Sequence, residues 1–199
     1  MTPTQIWVLV ATIAGFVAIG VIGVWQAVHI PWPSGARATR KSALGCEVTV
    51  IDAPGDDGQR LLLLDACTTA TVAIFTAWHV WRPNDTAAAQ VFPTIGVHFI
   101  DDTMMDDIEH SLFGGEKIAS YLSDASSKFK KIPLAVIRKS LAAEMIGTGQ
   151  PLMHEMLHAL LNNFMPGAPG IHDHTNVAWD VVQNAALTTY RDLYAPKNS

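Results

Sequence analysis

Hydrophobic and polar positions divide this chain into stretches of different period. From Ile6 to Trp25 twenty residues carry no charge, and only Thr12 interrupts the apolar, Ala and Gly run. As a helix rising about 1.5 Å per residue, this run is roughly 30 Å long, the hydrocarbon thickness of a bilayer. Trp7 and Trp25 stand near its ends and Trp32 just beyond, where indole rings favour the headgroup level. No basic side chain precedes the run, and it exceeds the core of a secretory signal. The expectation is a retained single-span anchor over residues 1–28, with 6–28 in contact with lipid. Pro31, Pro33, Gly35 and three basic residues then mark 29–43 as a juxtamembrane linker, and 44–199 remains as one domain.

Within that domain the first half reads as strands. Cys46–Ile51 and Arg60–Leu64 flank the turn formers of 53–59 and suggest a hairpin. Thr71–Arg82 is rich in β-branched and aromatic residues, and Thr94–Ile100 (TIGVHFI) is a further strand candidate. The five acidic residues between Asp101 and Glu109 suit a loop or a helix start, with no calcium-loop spacing. Afterwards the period lengthens. Helices are expected over Glu116–Lys130, over Pro133–Ile146 with Gly147 ending it, and from Pro151 to about Asn163. A Gly/Pro-rich loop over 167–173 leads to a last helix, capped by Thr175 or Asn176 and running to about Leu193. Strands first and helices second make an α+β domain.

The third of these helices carries the chemistry. His154-Glu-Met-Leu-His158 puts two imidazoles one turn apart on one face, able to grip one metal ion, with Glu155 beside them and free of a ligand's duty. Leu157, Leu160 and Leu161, with Met153 and Phe164, give the segment an apolar side to bury. Catalytic zinc usually takes three protein ligands and keeps a fourth position for water. The third donor is sought in His172-Asp173-His174. His174 is preferred because it directly precedes the last helix; Asp173 and His172 are its rivals, or partners that orient a ligand. Trp179 is expected to pack the last helix onto the histidine helix. Tyr190, Tyr194, His110 and His98 are candidates for a donor to an oxyanion.

With these residues the sequence resembles the zincins, the gluzincin-to-metzincin superfamily of zinc peptidases, over roughly residues 94–194. The resemblance implies a small sheet whose edge strand lies along the substrate cleft, a role that would fall to Thr94–Ile100, followed by the active-site helix. It also implies a Zn²⁺ cofactor and hydrolysis of an amide, with Glu155 as general base. Leu161 and Phe164 stand where metzincins carry Gly and His, and the last helix offers Asp180 and Asp192 but no glutamate. The match is better to minimal SprT-like or bacterial putative metallopeptidases, whose third histidine comes after a loop. The substrate is expected to be a peptide, a protein or a peptidoglycan cross-link. The alternative is a non-catalytic zincin-fold subunit of a membrane or virion assembly, with a membrane-protein partner.

Net charge is −5, which disfavours nucleic acid as a partner. Orientation in the membrane receives opposing signals. Arg37, Arg40 and Lys41 come after the span and favour a cytoplasmic domain. In the expected hairpin Cys46 and Cys67 come close enough for a disulfide, which requires an oxidising compartment, and the basic residues begin nine or more positions past the span; the expectation is a single-pass membrane protein with an extracytoplasmic C-terminal domain.

Overall fold

The computed structural model describes residues 35–112, 120–127, 130–171 and 173–194. The expected anchor over 1–28 and His172 lie outside the described residues. Residues 33–124 and 132–199 make up one compact unit, and the segment 125–131 belongs to a second.

Among the described residues five strands form one sheet: β1 (Arg37–Lys41), β2 (Glu47–Ile51), β3 (Thr94–Ile100), β4 (Ser120–Ser127) and β5 (Lys130–Arg138), in the order β1-β2-β3-β5-β4. β1 runs antiparallel to β2, with Arg37 opposite Ile51. β2, β3 and β5 are parallel, with Val48 opposite Ile95 and Gly96 opposite Leu134. Parallel neighbours need a long crossover, and α1 (Asp57–Trp81) supplies most of the one from β2 to β3. The other described helices are the short α2 (Ala88–Val91), α3 (Asp102–Leu112), α4 (Ala142–Thr148), α5 (Gln150–Phe164) and α6 (Val177–Tyr194). The domain is mixed α+β, as its sequence pattern indicates.

α1 is the centre of the unit, packing on β1 and β2 and also against α4, α5 and α6. It starts at a capping box: Asp56 accepts from the Gln59 amide at 2.9 Å, and the Gln59 side chain accepts from the Asp56 amide at 3.2 Å. It is buried on nearly every side from Leu63 to Trp78. Its threonines are accommodated by bonding backwards, Thr68 to the Leu64 carbonyl (2.7 Å) and Thr71 to that of Cys67 (2.9 Å). Among the described residues α1 is the one helix long and apolar enough to cross a membrane; 72% of its apolar window is covered by the fold itself.

This arrangement corrects several expectations. The hairpin of 46–65 and the strand at Thr71–Arg82 are replaced by β2 and α1. No Gly or Pro interrupts residues 59–82, a length suited to a helix, and packing on two sides overrides β propensity. Residues 37–41, expected in the linker, form β1. Thr94–Ile100 is a strand but a central one, buried on both faces and flanked by β2 and β5; the edge beside β5 belongs to β4. β4 also occupies 120–127, within the helix expected over Glu116–Lys130. Pro133–Ile146 is not one helix: Leu134 to Ile137 is a fully buried apolar run in the parallel sheet, and helix resumes only at Ala142. Gly147 lies inside α4, whose end is Gly149.

The cysteines are corrected too. Cys46 and Cys67 are both fully buried and free, not disulfide-bonded. Burial, and secondarily Glu47, pushes the Cys46 thiol up to about 12, and burial raises that of Cys67, so both are unreactive.

α4 and α5 meet at Gly149, which has φ +66 and serves both helix ends. A Cβ there would lie 2.7 Å from the Tyr190 ring and 2.9 Å from Ala70 Cβ. Tyr190 is locked in place, donating to the carbonyls of Met145 (3.2 Å) and Ile146 (2.8 Å). Gly149→Ala therefore combines left-handed strain with overpacking. It should lower the unfolding free energy by roughly 2–4 kcal/mol, read as a shift of the urea midpoint with unchanged slope.

Candidate metal centre

α5 begins with Pro151 in its first turn, where a missing amide hydrogen costs nothing. Successive residues turn by about 100°, so His154 and His158 lie within about 40° of each other, and Glu155 about 60° beyond His158. The strip Gln150, His154, His158, Asn162 is the least buried side of the helix. Leu152, Met153, Met156, Leu157, Leu160 and Leu161 are buried on its other sides. The apolar pattern thus decides which way the histidines face.

The chain returns to them through the loop after α5. Gly170 has φ +76, and a Cβ on it would lie 2.5 Å from the Asn176 amide nitrogen. The loop is closed by the Asn176 amide donating to the Gly170 carbonyl (2.9 Å) and its side chain donating to the Pro169 carbonyl (2.9 Å). Asn176 also caps α6, accepting from the Ala178 amide at 3.0 Å. His174 sits inside this closed loop at φ +63, a left-handed conformation that costs a non-glycine residue about 1–3 kcal/mol. Surrounding hydrogen bonds hold it there.

His154, His158 and His174 converge, each offering a ring nitrogen, and these nitrogens lie within 4.8 Å of one another. Nε2 of His174 is 3.2 Å from Nε2 of His158. The ring centres form a nearly equilateral triangle with sides of 5.1, 4.9 and 5.1 Å. Nitrogens about 2.0–2.1 Å from a tetrahedral ion stand about 3.3 Å apart, with ring centres about 5.2 Å apart. The triangle of ring centres is therefore of the size that three imidazoles take around a metal of zinc's size, and a purely imidazole donor set suits zinc, copper, iron or nickel. Burial first, and the neighbouring His174 second, lower the His154 pKa to about 4. Its imidazole is neutral at pH 7, the form that ligates.

The remaining candidates separate. Asp173 is exposed, and its carboxylate is engaged by the Thr175 amide (3.2 Å) and hydroxyl (2.8 Å), which hold its pKa below the usual carboxylate value. It shapes the loop and stands outside the converging group. Glu155 is only 2% exposed, on the part of α5 adjoining His158. Of the possible oxyanion donors, Tyr190 is committed to the α4 carbonyls and His98 to Asp52 (3.2 Å), while His110 is exposed on α3 and Tyr194 is buried.

Trp179 plays a larger part than its expected packing role. Its ring centre lies 4.9 Å from that of His154, 4.6 Å from His158 and 4.3 Å from His174. Its position five residues after His174, within the first turn of α6, is the only sequence signal for this, and spacing alone does not tell a core tryptophan from one against a metal centre.

No family model, curated protein or solved structure matches this chain.

Removing His174 should separate the two possible third donors. His174→Ala should weaken zinc binding at least about 100-fold, and Asp173→Ala should leave it within about threefold, measured by competition with a chromophoric chelator.

Proposed function

We propose that the chain is a zinc-dependent hydrolase of amide bonds, a minimal zincin-like metallopeptidase anchored to a membrane through residues 1–28. The observation that carries this reading is the convergence of His154 and His158 from α5 with His174 from the closed loop. Three imidazoles leave an ion of zinc's preference one position short of its complement. Bound there, zinc supplies Lewis acidity and a water whose pKa is near 7.

In this reading His154, His158 and His174 hold the ion, and Glu155 takes a proton at its carboxylate and returns it to the leaving amine. Two features of the fold support the zincin comparison: a mixed sheet with β4 at its edge beside β5, and a histidine helix that comes after that sheet in the chain. Edge strands accept extended peptides by adding main-chain hydrogen bonds. The substrate class is accordingly a peptide, a protein or a peptidoglycan cross-link, each offering an amide.

The burial of Glu155 favours one second reading, in which the metal braces a non-catalytic subunit of a membrane or virion assembly. The free thiols withdraw the disulfide that favoured an extracytoplasmic domain.

Glu155→Gln separates these two readings. Zinc content should stay at the wild-type value while hydrolysis of a peptide library falls about 10²–10⁴-fold. Equal turnover in the variant, or no turnover in either protein, would favour the bracing role.

A further inference from the structure

We infer that Trp179 walls off one face of the histidine triangle, so that a metal held there stays four-coordinate with its single exchangeable position on the opposite face. This rests on the metal-binding reading above and adds to it the side from which water and substrate approach.

Six distances carry the inference. The three indole–imidazole separations are 4.9, 4.6 and 4.3 Å, and the triangle's sides are 5.1, 4.9 and 5.1 Å. Together they put the indole centre about 3.5 Å from the plane of the imidazole centres and about 0.6 Å from the axis through their middle, which is van der Waals contact. A tripod of nitrogens holds its ion on that same axis, about 1 Å to one side of the plane, and a fourth ligand stands about 2 Å further out. An indole on that side would occupy the fourth ligand's place. The two are compatible only with the indole beneath the tripod and the fourth ligand above it.

A second observation is that the covering ring is itself buried. Trp179 is 5% exposed while its ring lies against all three imidazoles, so the indole fills the space on this side where a second ligand would stand. α6 delivers the ring: Asn176 caps the helix at one end of the loop that carries His174, and Trp179 stands on its first turn. One closed loop thus sets both the third imidazole and the wall behind it. The wall acts through the metal's coordination number, since fewer donors leave the ion a stronger Lewis acid, and Trp179 is a positioning residue.

The test uses the full chain in detergent with Co²⁺ as the probe, wild type beside Trp179→Phe and Trp179→Ala. Cobalt should quench the wild-type tryptophan emission, and that quenching should be lost in Trp179→Phe although metal analysis still finds one cobalt per chain. The visible cobalt band should be intense in wild type and in Trp179→Phe, as four-coordinate cobalt is, and should shift when azide is added. In Trp179→Ala the band should weaken severalfold as water enters the opened face and raises the coordination number. Undiminished quenching in Trp179→Phe would overturn the inference, and so would a band of wild-type intensity in Trp179→Ala. A cobalt-loaded wild type indifferent to azide would overturn it as well, by placing the indole over the exchangeable position. If wild type takes up no cobalt at all, the metal reading itself fails, and with it this inference. The emission and azide measurements need only wild type and Trp179→Phe, so they stand even if Trp179→Ala does not fold.

Discussion

The site depends on α5 and α6 both resting on α1. α1 is buried from Leu63 to Trp78, and its packing against both helices fixes the distance between them. Trp78 on α1 lies 5.5 Å from Phe164 at the far end of α5, and Tyr190 on α6 bonds the carbonyls of α4 just ahead of the start of α5. α5 is thereby held at both ends. With the helices held, a loop closed on Gly170 and Asn176 brings His174 against His154 and His158.

A left-handed His174 and an unpaired indole N–H are both unfavourable by themselves. Both occur at the triad. Local rules broken together in one place mark sites where function competes with stability. Elsewhere in the unit Asp52 is also left-handed (φ 53) and the Ser42 hydroxyl is also buried without a hydrogen-bond partner, while α1 has a full capping box, the buried threonines bond backwards, and Arg138 is bound to the Asp102 carbonyl (3.1 Å), to Asp106 (2.8 Å) and to Glu109.

The last quarter of the chain is more legible than what precedes it, for a physical reason. α5 and α6 carry signals that act locally: Pro151 in a first turn, Asn176 as a cap, an apolar stripe on α5, and histidines one turn apart. The Gly/Pro loop likewise announces itself. α1 is hidden in the sequence because a helix buried all round has no polar face to reveal its period, and its Thr and Val residues mimic a strand; the Asp56–Gln59 capping box is present but looks like a turn. β5 is hidden for the converse reason. A strand buried on both faces reads as a continuous apolar run, and Pro133, which suits a helix start, here stands one residue ahead of the first β3 pairing at Leu134. Pairing partners such as Gly96 with Leu134 are far apart in the chain, and no local pattern reports them.

The central claim is that three imidazoles and one exchangeable oxygen surround a single zinc ion. X-ray absorption at the zinc edge of the loaded full-length chain tests it most directly. The account predicts one zinc per chain, with a first shell of four light donors at about 2.0–2.1 Å and the outer-shell scattering of three imidazole rings. Two imidazoles or fewer, a sulfur contribution, or a six-donor shell would contradict it.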